Sequence, residues 1–282
     1  MIDTAAIFGY DFGTREHAYV ERDAILYALG VGLGADPCDR ADLRFLDERA
    51  LDVLPTYAVT LCSPGMWIRE PALGVDFGKL VHFAQSAEFF APLPPKATVL
   101  GEAKVISLTD RGEGRGAVLV LERTIRDGAS DTLYCRLHQT LLLRGDGGFG
   151  GEPAARDEKF DPQSPPDATG TFAVSSRAAL IYRLSGDWNP LHLDPDFAAK
   201  AGFTQPILQG LCSYAIAGVA VSRAMGRDPA DVAKLACKFS GIVLPGDTLT
   251  FEIWNDAATG GSRFRALIGD RKVLDGGEIS WK

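Results

Sequence analysis

The chain is poor in the residues that would build a metal centre or a disulfide framework. Its 282 residues hold only four histidines (His17, His82, His138 and His192) and five cysteines (Cys38, Cys62, Cys135, Cys212 and Cys237), an odd and widely spaced set. Zinc sites need clustered His and Cys ligands, and with no such pairing no metal is expected. Long apolar runs are scarce as well. Only the region from Ile207 to Val221 approaches the roughly 18 uncharged residues of a membrane span, and Gln209, Ser213 and two glycines mark it as a buried helix instead. Basic runs and basic–aromatic stripes are missing, which disfavours nucleic acid as a partner. The "GGFGG" at 147–151 precedes no helical pattern, so a phosphate-cradling dinucleotide loop is not indicated and no cofactor is expected. The opening "MIDTAAIFGYDFGTREHAY" lacks the basic start and apolar core of a signal peptide. The closing "ISWK" is no peroxisomal address, so a cytoplasmic protein is the expectation.

Hydrophobic residues at 46% and charged residues at 23% suit a chain that buries an ordinary core, as one large domain or two of about 140 residues. The net charge of −8 is uneven: from residue 171 onward 12 Lys/Arg face 11 Asp/Glu, against 17 and 26 in the remainder. The second half is therefore near neutral, and any anionic ligand must be held by local basic residues.

Two blocks repeat in the same order. "ILYALGVG" at 25–32 aligns with "LIYRLSGD" at 180–187, and "LPPKATVLGEAKV" at 93–105 with "VLPGDTLTFEIWN" at 243–255, at offsets of 155 and 150. This pattern predicts a duplicated fold. Gly145–Gly170, rich in Gly, Pro and Asp, reads as a linker and puts the boundary near residue 155, giving domains 1–155 and 156–282. Each copy is expected to run from a polar segment through an apolar helix into strands. The helix of the second copy follows Pro206 through "ILQGLCSYAIAGVAVSRAM"; being apolar nearly all round, it should be wrapped by a sheet. Strands are predicted over "ATVLGEAKVISLTD", "GAVLVLERTIRD", "DTLYCRLHQTLLLR", "KLACKFSGIVL", "DTLTFEIWND", "SRFRALIGD" and "KVLDGGEISW". One buried helix against an antiparallel sheet, made twice, is an α+β architecture.

Chemistry concentrates in "YRLSGDWNPLHLD", Tyr182 to Asp194. Gly186, Pro190 and Pro195 preclude regular structure there and gather Asp187, Asn189 and His192: a carboxylate, an amide and an imidazole within six residues. An Asp and a His side by side can hold a water and exchange two protons near neutral pH, while an amide fixes the carboxylate or the water. The same residues also suit an Asx turn with a buried, backbone-satisfied histidine. At offset 155 the trio faces Gly32, Gly34 and Pro37, so only the second copy carries it. Gly210, at the expected start of the buried helix, offers a backbone N–H that a ligand oxygen can approach closely.

The stretch "YRLSGDWNPLHLDPDFAAKAGFTQPILQGLCSYAIAG", with its Gly-Asp-x-Asn-Pro-x-His core, resembles the MaoC-like (R)-specific enoyl-CoA hydratases of the hydratase 2 family. "YVERDAILYALGVG", "LPTYAV", the "GGFGG" linker and "VLPGDTL" extend the likeness over nearly the whole chain, in the family's double-hotdog form. The resemblance implies two tandem hotdog folds, a pseudo-dimer in one chain, with a degenerate N-terminal copy on the acyl-pocket side. It implies reversible syn addition of water to a trans-2-enoyl-CoA, giving a (3R)-3-hydroxyacyl-CoA, with CoA as part of the substrate. Asp187, Asn189 and His192 are then catalytic and Gly210 is the oxyanion donor. His82, Phe83, Arg111 and Phe239 match substrate-binding positions, although an ordinary core or turn role remains open for His82, Arg111 and Phe239. Two positions depart from the family pattern: Gln209 precedes Gly210 where the family has His, and Phe83 follows His82 where it has Gly. A further homodimer is compatible with the fold.

Two rival readings stand beside this one. A dehydratase acting on a carrier-bound thioester would use the same residues in reverse, and an acyl-CoA binding module would need the pocket and not the trio. A thioesterase of this fold usually carries Asp or Glu on its central helix, and residues 207–225 contain neither.

Overall fold

A computed structural model describes residues 2–151 and 159–282. The elements run α1 (Thr4–Phe8), β1 (Arg15–Tyr19), α2 (Glu21–Val31), α3 (Arg40–Leu43), β2 (Leu80–Phe89), β3 (Ala97–Asp110), β4 (Ala117–Asp127) and β5 (Leu133–Leu143). After the linker come β6 (Ala168–Ala173), α4 (Ala178–Tyr182), α5 (Pro195–Lys200), α6 (Gly210–Ala224), β7 (Val232–Phe239), β8 (Thr248–Asp256), β9 (Gly261–Ile268) and β10 (Arg271–Trp281). The boundary expected near residue 155 lies outside the described residues.

The strands form one antiparallel ten-stranded sheet in the order β1-β3-β4-β5-β2-β7-β10-β9-β8-β6. Its two halves are the same object read in opposite directions. Counted within its own half, each has the order first-third-fourth-fifth-second, and the second strands, β2 and β7, meet at the seam. Ser86 pairs with Ala236 across that seam, and the 150-residue offset of the sequence repeat relates those same two positions. The duplication predicted from two short blocks is thus the pseudo-twofold symmetry of the sheet. Tyr27 and Tyr182, equivalent at offset 155, are both fully buried with ring centroids 5.5 Å apart.

The central helix is α6. From Cys212 to Ser222 every residue is buried, as its all-round apolar sequence requires. Its few polar groups are satisfied locally: Tyr214 donates to the Leu235 carbonyl at 2.9 Å, and the Ser222 hydroxyl bonds the Gly218 carbonyl and the Trp281 indole. The helix starts at Gly210 rather than directly after Pro206, because Ile207 and Leu208 extend to pair with Leu191 and Val243.

The first half departs from the expectation of a second long helix. Where that helix would lie, the chain makes 3₁₀ turns at Pro55–Thr60, Trp67–Arg69, Pro71–Leu73 and Phe77–Lys79. Pro55, Pro64 and Pro71, with Gly65 and Gly74 at positive φ, cannot propagate an α-helix. The fold is therefore two tandem hotdogs sharing one complete helix, with a looser interior in the first copy.

Candidate active site

The trio sits where α4 unwinds. A 3₁₀ turn at Arg183–Ser185 follows Tyr182 and ends on Gly186 at φ +110°, a conformation that only glycine adopts without strain. The reversal brings Asp187 back towards the next turn, where its Oδ1 accepts from the Asn189 N–H at 3.3 Å. Asn189 in turn caps the short 3₁₀ helix Pro190–His192, its Oδ1 accepting from the Leu191 N–H at 3.1 Å. With its carbonyl committed to the backbone, Asn189 has only Nδ2 left to donate towards Asp187 or a water.

His192 is buried, in contrast to Asp187, whose side chain is 39% exposed. The imidazole Nδ1 lies 2.9 Å from the Ile207 carbonyl, which fixes the proton on Nδ1 and turns the Nε2 lone pair outward. Nε2 then stands 3.7 Å from Asp187 Oδ2. That separation is too long for a direct hydrogen bond, yet one water oxygen at about 2.8 Å can reach both groups. The turn is thus both an Asx turn and a cradle, since the backbone bonds that satisfy Asp187 and Asn189 also aim the polar tips.

Ile207 leads in three residues to Gly210, so the carbonyl that orients His192 is tethered to the start of α6. The N–H of Gly210 belongs to the first turn, where no carbonyl precedes it. Against it lies Phe239, whose ring would stand 3.3 Å from a Cβ at position 210. Phe239 in turn meets the His82 ring edge-on at 4.9 Å. His82 reaches this place because Phe83 is the extra residue of a β-bulge opposite Leu141 and Thr140, which re-aims the strand at the seam. Burial pushes the His82 imidazole down to about 4, so it is neutral near pH 7, and its Nε2 bonds the Ala84 carbonyl at 3.1 Å.

The structure therefore gathers the expected residues into two adjoining clusters: Asp187, Asn189 and His192 in one, Gly210, Phe239 and His82 in the other, with Phe83 supplying the bulge. Arg111 stays apart. It is exposed in the β3–β4 turn, three strands from β2, or about 14 Å at ordinary strand spacing. Three contacts at the site come from the structure alone. The Ile207 carbonyl is a backbone group fifteen residues from His192. Gln209, fully buried, donates to the Ala179 carbonyl at 3.1 Å and so straps the start of α6 to α4. Arg183 stacks its guanidinium over Trp188 at 4.6 Å beside the trio, where "DWNP" places an exposed aromatic within the turn.

A double hotdog with an imidazole, a carboxylate and a helix N-terminus at one mouth is a fold and site that can exchange protons with a bound ligand, and the comparisons place the chain among hydro-lyases that act on acyl thioesters. Residues 158–272 match the MaoC like domain, and residues 17–145 match the MFE-2 hydratase 2 N-terminal domain. The chain is 38% identical over 276 residues to 3-hydroxyacyl-thioester dehydratase Y of Mycobacterium tuberculosis, with 93% of each chain covered. It is 36% identical over 256 residues to the peroxisomal enoyl-CoA hydratase 2 of Arabidopsis thaliana, covering 84% of this chain and 82% of that one. Among solved structures, a MaoC-like dehydratase from Phytophthora capsici superposes with a TM-score of 0.84 at 30% identity, over 100% of this chain and 99% of the other. The chain belongs to the MaoC-like hydratase 2 family. No helix among the described residues is long and apolar enough to cross a membrane.

Proposed function

We propose that the chain is an (R)-specific enoyl-CoA hydratase, adding water reversibly across a trans-2-enoyl-CoA to give the (3R)-3-hydroxyacyl-CoA. The observation that carries the reading is the His192–Asp187 pair, with Nδ1 locked on the Ile207 carbonyl and Nε2 free at 3.7 Å from the carboxylate. A water held between them adds its oxygen to Cβ. The pair takes one proton from that water and delivers one to Cα, so atoms and charge balance over the cycle. Charge that builds on the thioester oxygen meets the Gly210 N–H at the positive end of α6. Phe239, His82 and the Phe83 bulge shape the acyl side of the pocket, and Arg111, exposed in the β3–β4 turn away from both clusters, is the candidate for the CoA phosphates. One chain supplies both halves of this pocket. A further homodimer is compatible with that, and light scattering reads it. Five free cysteines, four of them buried, suit a reducing compartment, and the cytoplasm is the proposed setting.

The test is hydration of crotonyl-CoA, followed by loss of the enoyl-thioester ultraviolet absorbance, for the wild type beside Asp187→Asn. Turnover reduced about a thousandfold in the variant, or about 4 kcal/mol of barrier, supports the reading. Equal rates would remove Asp187 from the chemistry. A second reading draws on the kinship with the 3-hydroxyacyl-thioester dehydratase: the same site run in the dehydrating direction, with the thioester on a carrier protein. Faster turnover of the carrier-bound than of the CoA-bound substrate would favour it.

A further inference from the structure

The looser interior of the first half contains a cavity of about 50 Å³ between the Pro55–Thr60 turn and the inner face of β2, β4 and β5. A water needs roughly 10–15 Å³ of such space, so a few waters or one small polar group would fill it. Leu121, Leu137 and Leu211 are among its apolar walls, and Gln85, Arg123, Gln139 and the exposed Ser63 supply its polar groups. It adjoins the candidate active site. Leu211 is the residue after Gly210, and Gln85 lies on the same strand, β2, as His82, whose ring packs on Phe239.

Arg123 is half-buried, a guanidinium on a cavity wall that would otherwise suit an aliphatic chain. Its Nη2 donates to the Val59 carbonyl at 2.7 Å, while its Nε is shut off from solvent with no partner. No carboxylate lies within ion-pair distance of it among the described residues. The ionisable groups around it are His17, His82, Cys62 and Cys135, whose imidazoles burial pushes down and whose thiols burial pushes up, so all four are neutral near pH 7. The enclosed, unpartnered Nε costs stability that leucine at this position would not.

We propose that this cavity takes the far end of the acyl chain, and that Arg123, with Gln85 and Gln139 beside it, selects a short enoyl thioester ending in a carboxylate. The proposal rests on the hydratase reading above, in that the thioester lies at Gly210 and the tail runs past His82 and Phe239. The terminal carboxylate would accept from the guanidinium fork and supply the counter-charge that the protein itself does not.

The experiment compares two six-carbon trans-2-enoyl-CoAs, one ending in methyl and one in carboxylate, on the wild type, Arg123→Met and Arg123→Lys. The wild type is expected to favour the carboxylate by about 100-fold in kcat/KM, because a site that hydrogen-bonds the carboxylate discriminates against the analogue lacking it. Arg123→Met should reverse that ratio, and Arg123→Lys should keep part of it. Titration calorimetry with the saturated counterparts gives the same ratio without turnover. Failure of the hydratase reading would therefore show as no turnover beside intact binding selectivity, which still supports the role of Arg123. A wild-type preference for the methyl-ended chain, by turnover and by binding, would overturn the proposal. An unchanged ratio in a folded Arg123→Met would do the same. Should Arg123→Met fail to fold, the wild-type ratio decides alone.

Discussion

Gly30 sets two physical effects of opposite sign against each other. It lies in the last turn of α2, two residues before the C-cap Gly32 at φ +110°. On helix propensity alone, Gly30→Ala should stabilise by up to about 1 kcal/mol. A Cβ at this position, however, would stand 2.9 Å from the Tyr182 Cα and 3.0 Å from its nitrogen, where ordinary contacts begin at 3.4 Å. Both obstacles are backbone atoms, so no rotamer change relieves them, and α2 and α4 must separate by about half an ångström or more. Overpacking of this kind costs about 1–3 kcal/mol, which outweighs the propensity gain. The net expectation is a loss of about 1–2 kcal/mol, or a Tm lower by roughly 3–6 °C. Tyr182 also leads into the turn that presents Asp187, so kcat should fall about tenfold or more through misplacement of the carboxylate. Calorimetry beside hydration kinetics checks both. A Tm at or above that of the wild type would refute the packing argument. A lowered Tm with unchanged kcat would refute the coupling of α2 to the turn.

Two more predictions concern groups around the pocket. His82 is held neutral, with a folded pKa of about 4 against about 6.5 unfolded, so between these values the unfolded chain binds more protons. Stability should therefore rise with pH across that window and be lost as pH falls through it. Urea titrations at several pH values should show this component flattened in His82→Gln. Gln209→Met removes the Nε2 bond to Ala179 together with a buried, unpartnered Oε1. These changes oppose each other and should leave stability within about 1 kcal/mol. With the strap from α6 to α4 gone, kcat should fall more than KM changes, and a shift in KM alone would count against the positioning role.

Seven strands are legible in the sequence because alternating, β-branched stretches between Gly/Asp turns allow little else. The one predicted over 234–244 stops at Phe239, where Gly241 packs against the Lys272 carbonyl and Pro245 follows. The other three strands are hidden for different reasons. β1 and β6, "REHAY" and "ATGTFA", are short sheet edges with little apolar pattern. β2 carries the Phe83 bulge, which breaks its alternation just where it re-aims His82. The trio is readable because Gly and Pro force three polar side chains of different chemistry into one turn. The carbonyl orienting His192, the Phe239–Gly210 contact and the surroundings of Arg123 all come from tertiary packing between distant segments, which no local pattern encodes.

The central claim is that one pair, Asp187 and His192, handles both protons on one face of the double bond. Hydration of crotonyl-CoA in D2O, with the configuration at both carbons of the product resolved by NMR, tests it most directly. The account predicts a (3R) hydroxyl with deuterium added to Cα from the same face. An anti product, or a (3S) hydroxyl, would contradict it.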